Sequence, residues 1–462
     1  MRRRLRIAAA AVLAAGLALG SAGCSKKNDD EGSTGEGGQV KLVLQTFQNF
    51  GYDQAIKDFE AAHPNIKVEH QKMGELRDFQ PKLVQWLAAG SGAGDVVGLE
   101  EGVLFGYVQN PDKFANLLDL GAGELKASFP EWKWNNALTP DGKKLIGLGT
   151  DVGGLAMCYR KDLFQQAGLP TDRDEVSKRM TTWQDYIALG KEFKASGKVK
   201  AAWLDSATSL MQPYVMQNSE TFFFDKDNKF IGDTNPVVKQ TWDMGLQMAK
   251  DGLTAKTQRW SADWDGAFKN SAFATLPCPS WMTEGVIAPK SGPANSGKWD
   301  IANIPGGGGN WGGSYLAVPA QSKHPKEAYE LAKYLTSKAG HLAAFKEAGA
   351  MPSDIAALED PAFKDKTSEY FSGAPTGKIF GESVKNMKPV FLGAKHQQVW
   401  ETIFEPQMQA AERGRLSPDA AWKKAVDEAK KAVSNAVPAF RPTEWRNART
   451  TLGWMVAMLV AL

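Results

Sequence analysis

Two tryptophans stand out by their surroundings. Trp281 follows Pro277-Cys278-Pro279-Ser280, which reads as a Pro-x-Pro turn, and Trp311 lies in Gly309-Asn310-Trp311-Gly312-Gly313. Neither falls at a periodic core position. An indole placed this way offers a flat face to a flat, partly apolar ligand. Gln48 and Asn49 add planar amides, each both donor and acceptor, and Glu100 and Glu101 add acceptors. Such a set can grip a hydroxyl-rich molecule without breaking a bond in it. Each residue also has a plainer role: Gln48 and Asn49 suit a turn, and Glu100-Glu101 suits a solvated charge pair. Trp264 and Trp400 fit core packing as well as stacking.

Other chemistries find little support. Gly307, Gly309 and Gly312 satisfy G-x-G-x-x-G, but a dinucleotide site needs a helix straight after it. Ser314 to Val318 reads as a strand, so the glycines suit a hinge or close backbone approach. The histidines 63, 70, 324, 341 and 396 have no metal-ligand spacing with one another or with cysteine. No metal and no cofactor is implied. Nucleophile-elbow, Walker and HExxH patterns are absent. A secreted glycoside hydrolase stays open as a rival. It needs two carboxylates set apart across a cleft, which adjacent Glu100 and Glu101 cannot supply but distant acids could.

The elements that must position these residues alternate. Val40 to Thr46, Ile66 to Val68 and Asp95 to Leu99 read as strands; Asp53 to His63 and Phe79 to Leu87 read as helices between them. This β-α-β-α-β order predicts a parallel sheet, with ligands beyond the carboxyl ends of its strands. Gln48 and Asn49 then occupy the loop after the first strand, and Glu100-Glu101-Gly102 the loop after the third. Leu155 to Arg160 is a further strand entering a helix, and Pro325 to Gly349 is one long helical pattern. Ser417-Pro418 opens a closing helix.

The 462 residues carry a net charge of +3, and the four arginines of residues 1–23 exceed it. The remaining body has one net negative charge, which argues against nucleic acid as a partner. Those first residues read as a positive stretch, an apolar run and small residues before Cys24, an export signal too short to span a membrane. Residues 24–39 are polar and read as a flexible tether. Residues 438–462 are an atypical extension whose apolar end, Leu452 to Leu462, is too short to cross a bilayer.

In order and spacing, several segments together resemble the extracellular sugar-binding proteins of ABC importers, a class that includes the maltose-binding proteins. They are Phe59 to Val68, Gly94-Asp95-Val96-Val97, Leu155 to Phe164, Ala274 to Trp281, Gly312 to Pro319 and Gly414 to Ala421. The resemblance covers about residues 40–437. Pro277 to Trp281 and Gly309 to Gly313 look most like actinobacterial binders of cello- and xylo-oligosaccharides. The small residues before Cys24 resemble a lipoprotein signal, with Ser21 where the family prefers leucine.

The resemblance implies an α/β fold of the two-lobe periplasmic-binding type II, with a hinge and an interlobe cleft. Lobe 1 would hold residues 40–152 and 304–350, and lobe 2 residues 153–303 and 351–437, with crossings near 151–154, 300–304 and 349–353. It adds Asp151 at the first hinge and Gln212 and Tyr214 in lobe 2 as ligand contacts, beside Gln48, Asn49, Glu100, Glu101, Trp281, Trp311 and Gly312. A bridge between Cys158 and Cys278 and a pair of buried free thiols stay equally open. The expected partners are an oligosaccharide, cellobiose or a cello-oligosaccharide ahead of a xylo-oligosaccharide, and permease subunits with a separate ATPase. The protein would be a monomer, lipid-anchored through Cys24 on the outer face of the membrane, and not an enzyme. A binder of the same fold for a peptide, polyamine or iron chelate is the other alternative.

Overall fold

The computed structural model describes residues 38–385 and 387–434. Cys24, the export signal and the C-terminal extension lie outside them. Among the described residues, nine strands form two sheets. The first sheet has the order β2-β1-β3-β9-β4, from Val40–Thr46 (β1), Ile66–Lys72 (β2), Val96–Glu100 (β3), Leu148–Gly149 (β4) and Ser314–Ala317 (β9). The second has the order β6-β7-β5-β8, from Leu155–Arg160 (β5), Ala202–Leu204 (β6), Phe273–Pro279 (β7) and Trp299–Asn303 (β8).

In the first sheet, β1 is parallel to β2 and β3, joined by the helices Asp53–Ala62 and Leu76–Ala89. Ile56 and Phe59 of one helix and Phe79, Leu83 and Leu87 of the other are buried against the sheet. Gly90 ends the second helix with φ 70°, a conformation glycine takes without a Cβ clash. The long pattern expected over residues 325–349 is two helices, Pro325–Leu335 and Lys338–Ala348. Ser337 breaks it, because its side chain caps the second helix by accepting from Gly340 N.

In the second sheet, Pro277 and Pro279 belong to β7 rather than to a turn. They are tolerated because β6 reaches only Thr275, which leaves that edge of β7 unpaired beyond it. Cys158 of β5 and Cys278 of β7 are joined as a disulfide, both fully buried.

The backbone passes between the sheets after β4, after β8, and again beyond Ala348. Residues from Met351 to Phe380 pack with Trp264, Phe268 and Trp299 of the second lobe. The second passage starts later than expected near 300–304: residues 299–303 still pair with β5, Ile304 packs in the second lobe's core, and the first sheet is rejoined at Ser314. The three passages lie side by side. Val152 N donates to Met351 O (3.0 Å), Trp311 N to Gly153 O (2.8 Å) and Thr150 N to Ser314 O (2.9 Å). This is a two-lobe α/β fold hinged on three adjacent segments.

Candidate ligand-binding site

A cleft of about 1200 Å³, counting its open mouth, lies between the lobes at the hinge. Gln48, Asn49, Glu100, Asp151, Gln212, Trp281, Trp311 and Gly312 all line it. Glu101 and Tyr214 do not.

Gln48 and Asn49 follow β1. Gln48 holds φ at 48°, costly for a side chain other than glycine, and is fixed by N–H donation to Gly74 O (2.7 Å) and from Nε2 to Glu75 Oε2 (2.7 Å). Asn49 also makes the turn suggested by its type, accepting from Gly51 N (3.1 Å).

Glu100 is not in a loop. It ends β3, and the helix Glu101–Gln109 begins at the next residue. Its carboxylate caps that helix by accepting from Gly102 N (2.5 Å). Burial, then the neighbouring Glu101 charge, pushes the Glu100 carboxyl up to about 8. The direct succession turns Glu101 the other way, beneath the floor of the cleft. There it accepts from Asn310 Nδ2 (3.3 Å) and faces the wholly buried Lys133 at 3.9 Å. Tyr214 packs edge-on to Trp183 in the second lobe's core, ring centroids 6.0 Å apart.

Asp151 bridges β4 and β9. Its Oδ1 accepts from Thr150 Oγ1 (2.6 Å) and Ser314 N (2.8 Å). Gly312 follows with φ 72°. A Cβ there would sit 3.5 Å from Glu100 Oε1 and 3.9 Å from Trp281 Nε1, so its bareness keeps the carboxyl and the indole open to the same space.

Trp281 lies on the short helix Ser280–Met282 at the end of β7, half-buried, and donates from Nε1 to Trp311 O (3.1 Å). It stacks near-parallel on Trp260, centroids 6.1 Å apart at 21°. Trp311 rides the second passage between lobes, with the Arg259 guanidinium 4.4 Å from its ring centroid. Trp260 and Trp400 complete a set of four half-buried indoles along the cleft. Trp264 is fully buried and donates to Asp205 (2.9 Å), the core role open to it.

Sequence reasoning missed Arg259, Trp260, Gln397, Glu401 and Glu405, which also line the cleft. Trp260 directly precedes the helix cap Ser261, which removes it from that helix's stripe and was a usable signal. Glu401 lies within a wide π-turn over Trp400–Phe404 and Glu405 directly follows it, and the register change of that turn cannot be read from a 3.6-residue period. A second π-turn, Thr283–Ile287, carries Gly285 and Val286 of the lining. Burial lifts the Glu405 carboxyl to about 7. Among the described residues, no three His, Cys, Asp or Glu side chains are grouped to hold a metal ion.

A cleft between hinged lobes, walled by indoles, amides and carboxyls, suits reversible capture of a polar solute. The profile of the bacterial extracellular solute-binding proteins matches residues 54–368. The chain belongs to that family. A solved structure of an extracellular solute-binding protein of family 1 is 41% identical, covering 85% of this chain and 100% of its own, with TM-score 0.75. The lactose-binding protein of Rhizobium radiobacter is 25% identical over 396 residues, covering 83% of this chain and 87% of its own. The binding protein of B. animalis subsp. lactis solved with β-1,6-galactobiose is 22% identical, covers 86% of this chain and 98% of its own, and shares the fold at TM-score 0.73.

Proposed function

We propose that this family member captures an oligosaccharide in the interlobe cleft and delivers it to the permease of an ABC importer. The observation that carries the reading is the cleft lining: four half-buried indoles facing Gln48, Glu100, Asp151 and Gln212. Indoles suit the C–H faces of sugar rings, and paired amide and carboxyl groups suit their hydroxyls. The relatives named above for lactose and β-1,6-galactobiose support a sugar over a peptide, polyamine or iron chelate. The preferred ligand is cellobiose or a cello-oligosaccharide, with a xylo-oligosaccharide next. The contact residues are Gln48, Asn49, Glu100, Asp151, Gln212, Trp281, Trp311 and Gly312. Glu101 and Tyr214 stand behind the lining rather than in it. Binding draws the lobes together about the three hinge segments, and the permease reads the closed form.

The protein works as a monomer on the outer face of the membrane, held by a lipid on Cys24. Loss of palmitate labelling in Cys24→Ser tests the anchor. A thermal-shift screen of neutral oligosaccharides tests the ligand, because a solute that binds only the folded chain raises its Tm. Cellobiose or cellotriose is expected to do so; a flat response across the panel refutes the sugar reading. The raised carboxyls of Glu100 and Glu405 would also suit a general acid. Release of glucose from cellobiose, abolished by Glu100→Gln, would replace binding with hydrolysis.

A further inference from the structure

Arg259 is only 3% exposed, yet it lines the cleft. Among the described residues, its Nε and Nη2 are buried without a hydrogen-bond partner. A guanidinium carries five N–H donors and cannot escape by losing its proton, so leaving them unmet in a buried place is costly. Its nearest acid does not relieve this. Asp205 Oδ2 stands 3.7 Å from Nε and is already taken by Trp264 Nε1 (2.9 Å), while Oδ1 accepts from Ser209 Oγ (2.5 Å). Three indoles surround the cation, with Trp311 at 4.4 Å, Trp260 at 5.5 Å and Trp264 at 5.6 Å from Cζ to ring centroid. The group is thus held among indole rings, with Nε and Nη2 enclosed.

We propose that Arg259 is a specificity residue of the cleft, donating from the part of its guanidinium that lines the cleft to an uncharged oxygen of the ligand, a hydroxyl or ring oxygen. This rests on the oligosaccharide reading and narrows it to neutral sugars. The charge of the lining selects the neutral acceptor: Glu75, Glu100, Asp151, Glu401 and Glu405 share the cleft with only Arg77 and Arg259. Burial already holds the Glu100 and Glu405 carboxyls toward their neutral form, and a carboxylate brought in on a sugar would meet the same opposition to its charge. A sugar oxygen takes the same hydrogen bond without that opposition. It would lie beside Trp311, so one residue both orders a stacking face and reads the edge of the ring upon it.

The test is titration calorimetry of the mature chain with cellotriose, on the wild type, Arg259→Lys, and the double variant Asp205→Asn/Arg259→Met. The double variant removes both buried charges, so its fold does not depend on an orphaned carboxylate. A hydrogen bond to a charged donor predicts binding about ten- to a hundredfold weaker in both variants. The double variant should keep its unliganded Tm. In the wild type, cellotriose should shift the side-chain nitrogen resonances of Arg259. Variants that bind within twofold of wild type overturn the assignment, as does weaker binding with unmoved arginine resonances, which would make Arg259 a support for Trp311 only. A glucuronate-substituted xylo-oligosaccharide that binds more tightly than its neutral parent overturns the neutral acceptor. A wild type that binds no oligosaccharide overturns the sugar reading itself, an outcome distinct from a binding wild type with unaffected variants.

Discussion

Glu100→Gln should change how stability depends on pH. In the folded chain the Glu100 carboxyl stands at about 8, against an ordinary 4.5, because burial and then Glu101 oppose its charge. Between these values the folded chain keeps a proton that the unfolded chain has lost. The contribution is fully present below pH 4.5, falls as pH rises toward 8, and is flat above it. At 1.36 kcal/mol per pH unit the ceiling is about 5 kcal/mol. Glu100 is only partly buried and meets cleft water, so screening should leave roughly 1–2 kcal/mol. Glutamine keeps an oxygen to accept from Gly102 N, so the helix cap survives and only the titration is removed. Urea unfolding from pH 4.5 to 9 should show the variant gaining on wild type by that amount as pH rises, and no further above 8. Glu405, whose shift does not involve Glu100, titrates in both proteins and cancels in the difference. Parallel curves for the two proteins would refute the reasoning.

Other consequences follow from the same geometry. Trp281→Ala should weaken cellotriose binding by about 1–2 kcal/mol, roughly five- to thirtyfold by calorimetry, with little change in the unliganded Tm. Reducing the Cys158–Cys278 bridge, which spans 120 residues, should cost up to ~5 kcal/mol of folding free energy by loop entropy. Denaturant midpoints with and without reductant measure it, and equal midpoints would contradict it. Gly153→Ala places a Cβ 1.8 Å from Trp311 O, a backbone atom that cannot step aside. It should cost ~2–3 kcal/mol of stability by urea unfolding and displace the Trp311 stacking face, seen as a fluorescence shift.

Much of this architecture was legible because it rests on local pattern. The first sheet and its helices follow from the alternation of β1 and the stripes carrying Phe59, Phe79 and Leu83. What misled was continuity of the chain at places where geometry changes abruptly. Glu100 and Glu101 look like equals in the sequence, yet a strand passing directly into a helix sends one into the cleft and the other under it. Ser337 and the wide turn at Trp400–Phe404 alter the helical phase by means that periodicity does not register. Within the cleft, Trp281 and Trp311 were visible because each lies off a stripe. Arg259 was not, because Trp311, the ring nearest its guanidinium, is distant in sequence and meets it only on folding.

The most direct measurement is a crystal structure of the mature chain grown with cellotriose. An intact trisaccharide should lie between the sheets, its rings against Trp281 and Trp311 and its hydroxyls on Glu100 and Gln48. Sugar found only outside the cleft, cleaved sugar within it, or an empty cleft at saturating cellotriose would contradict the account.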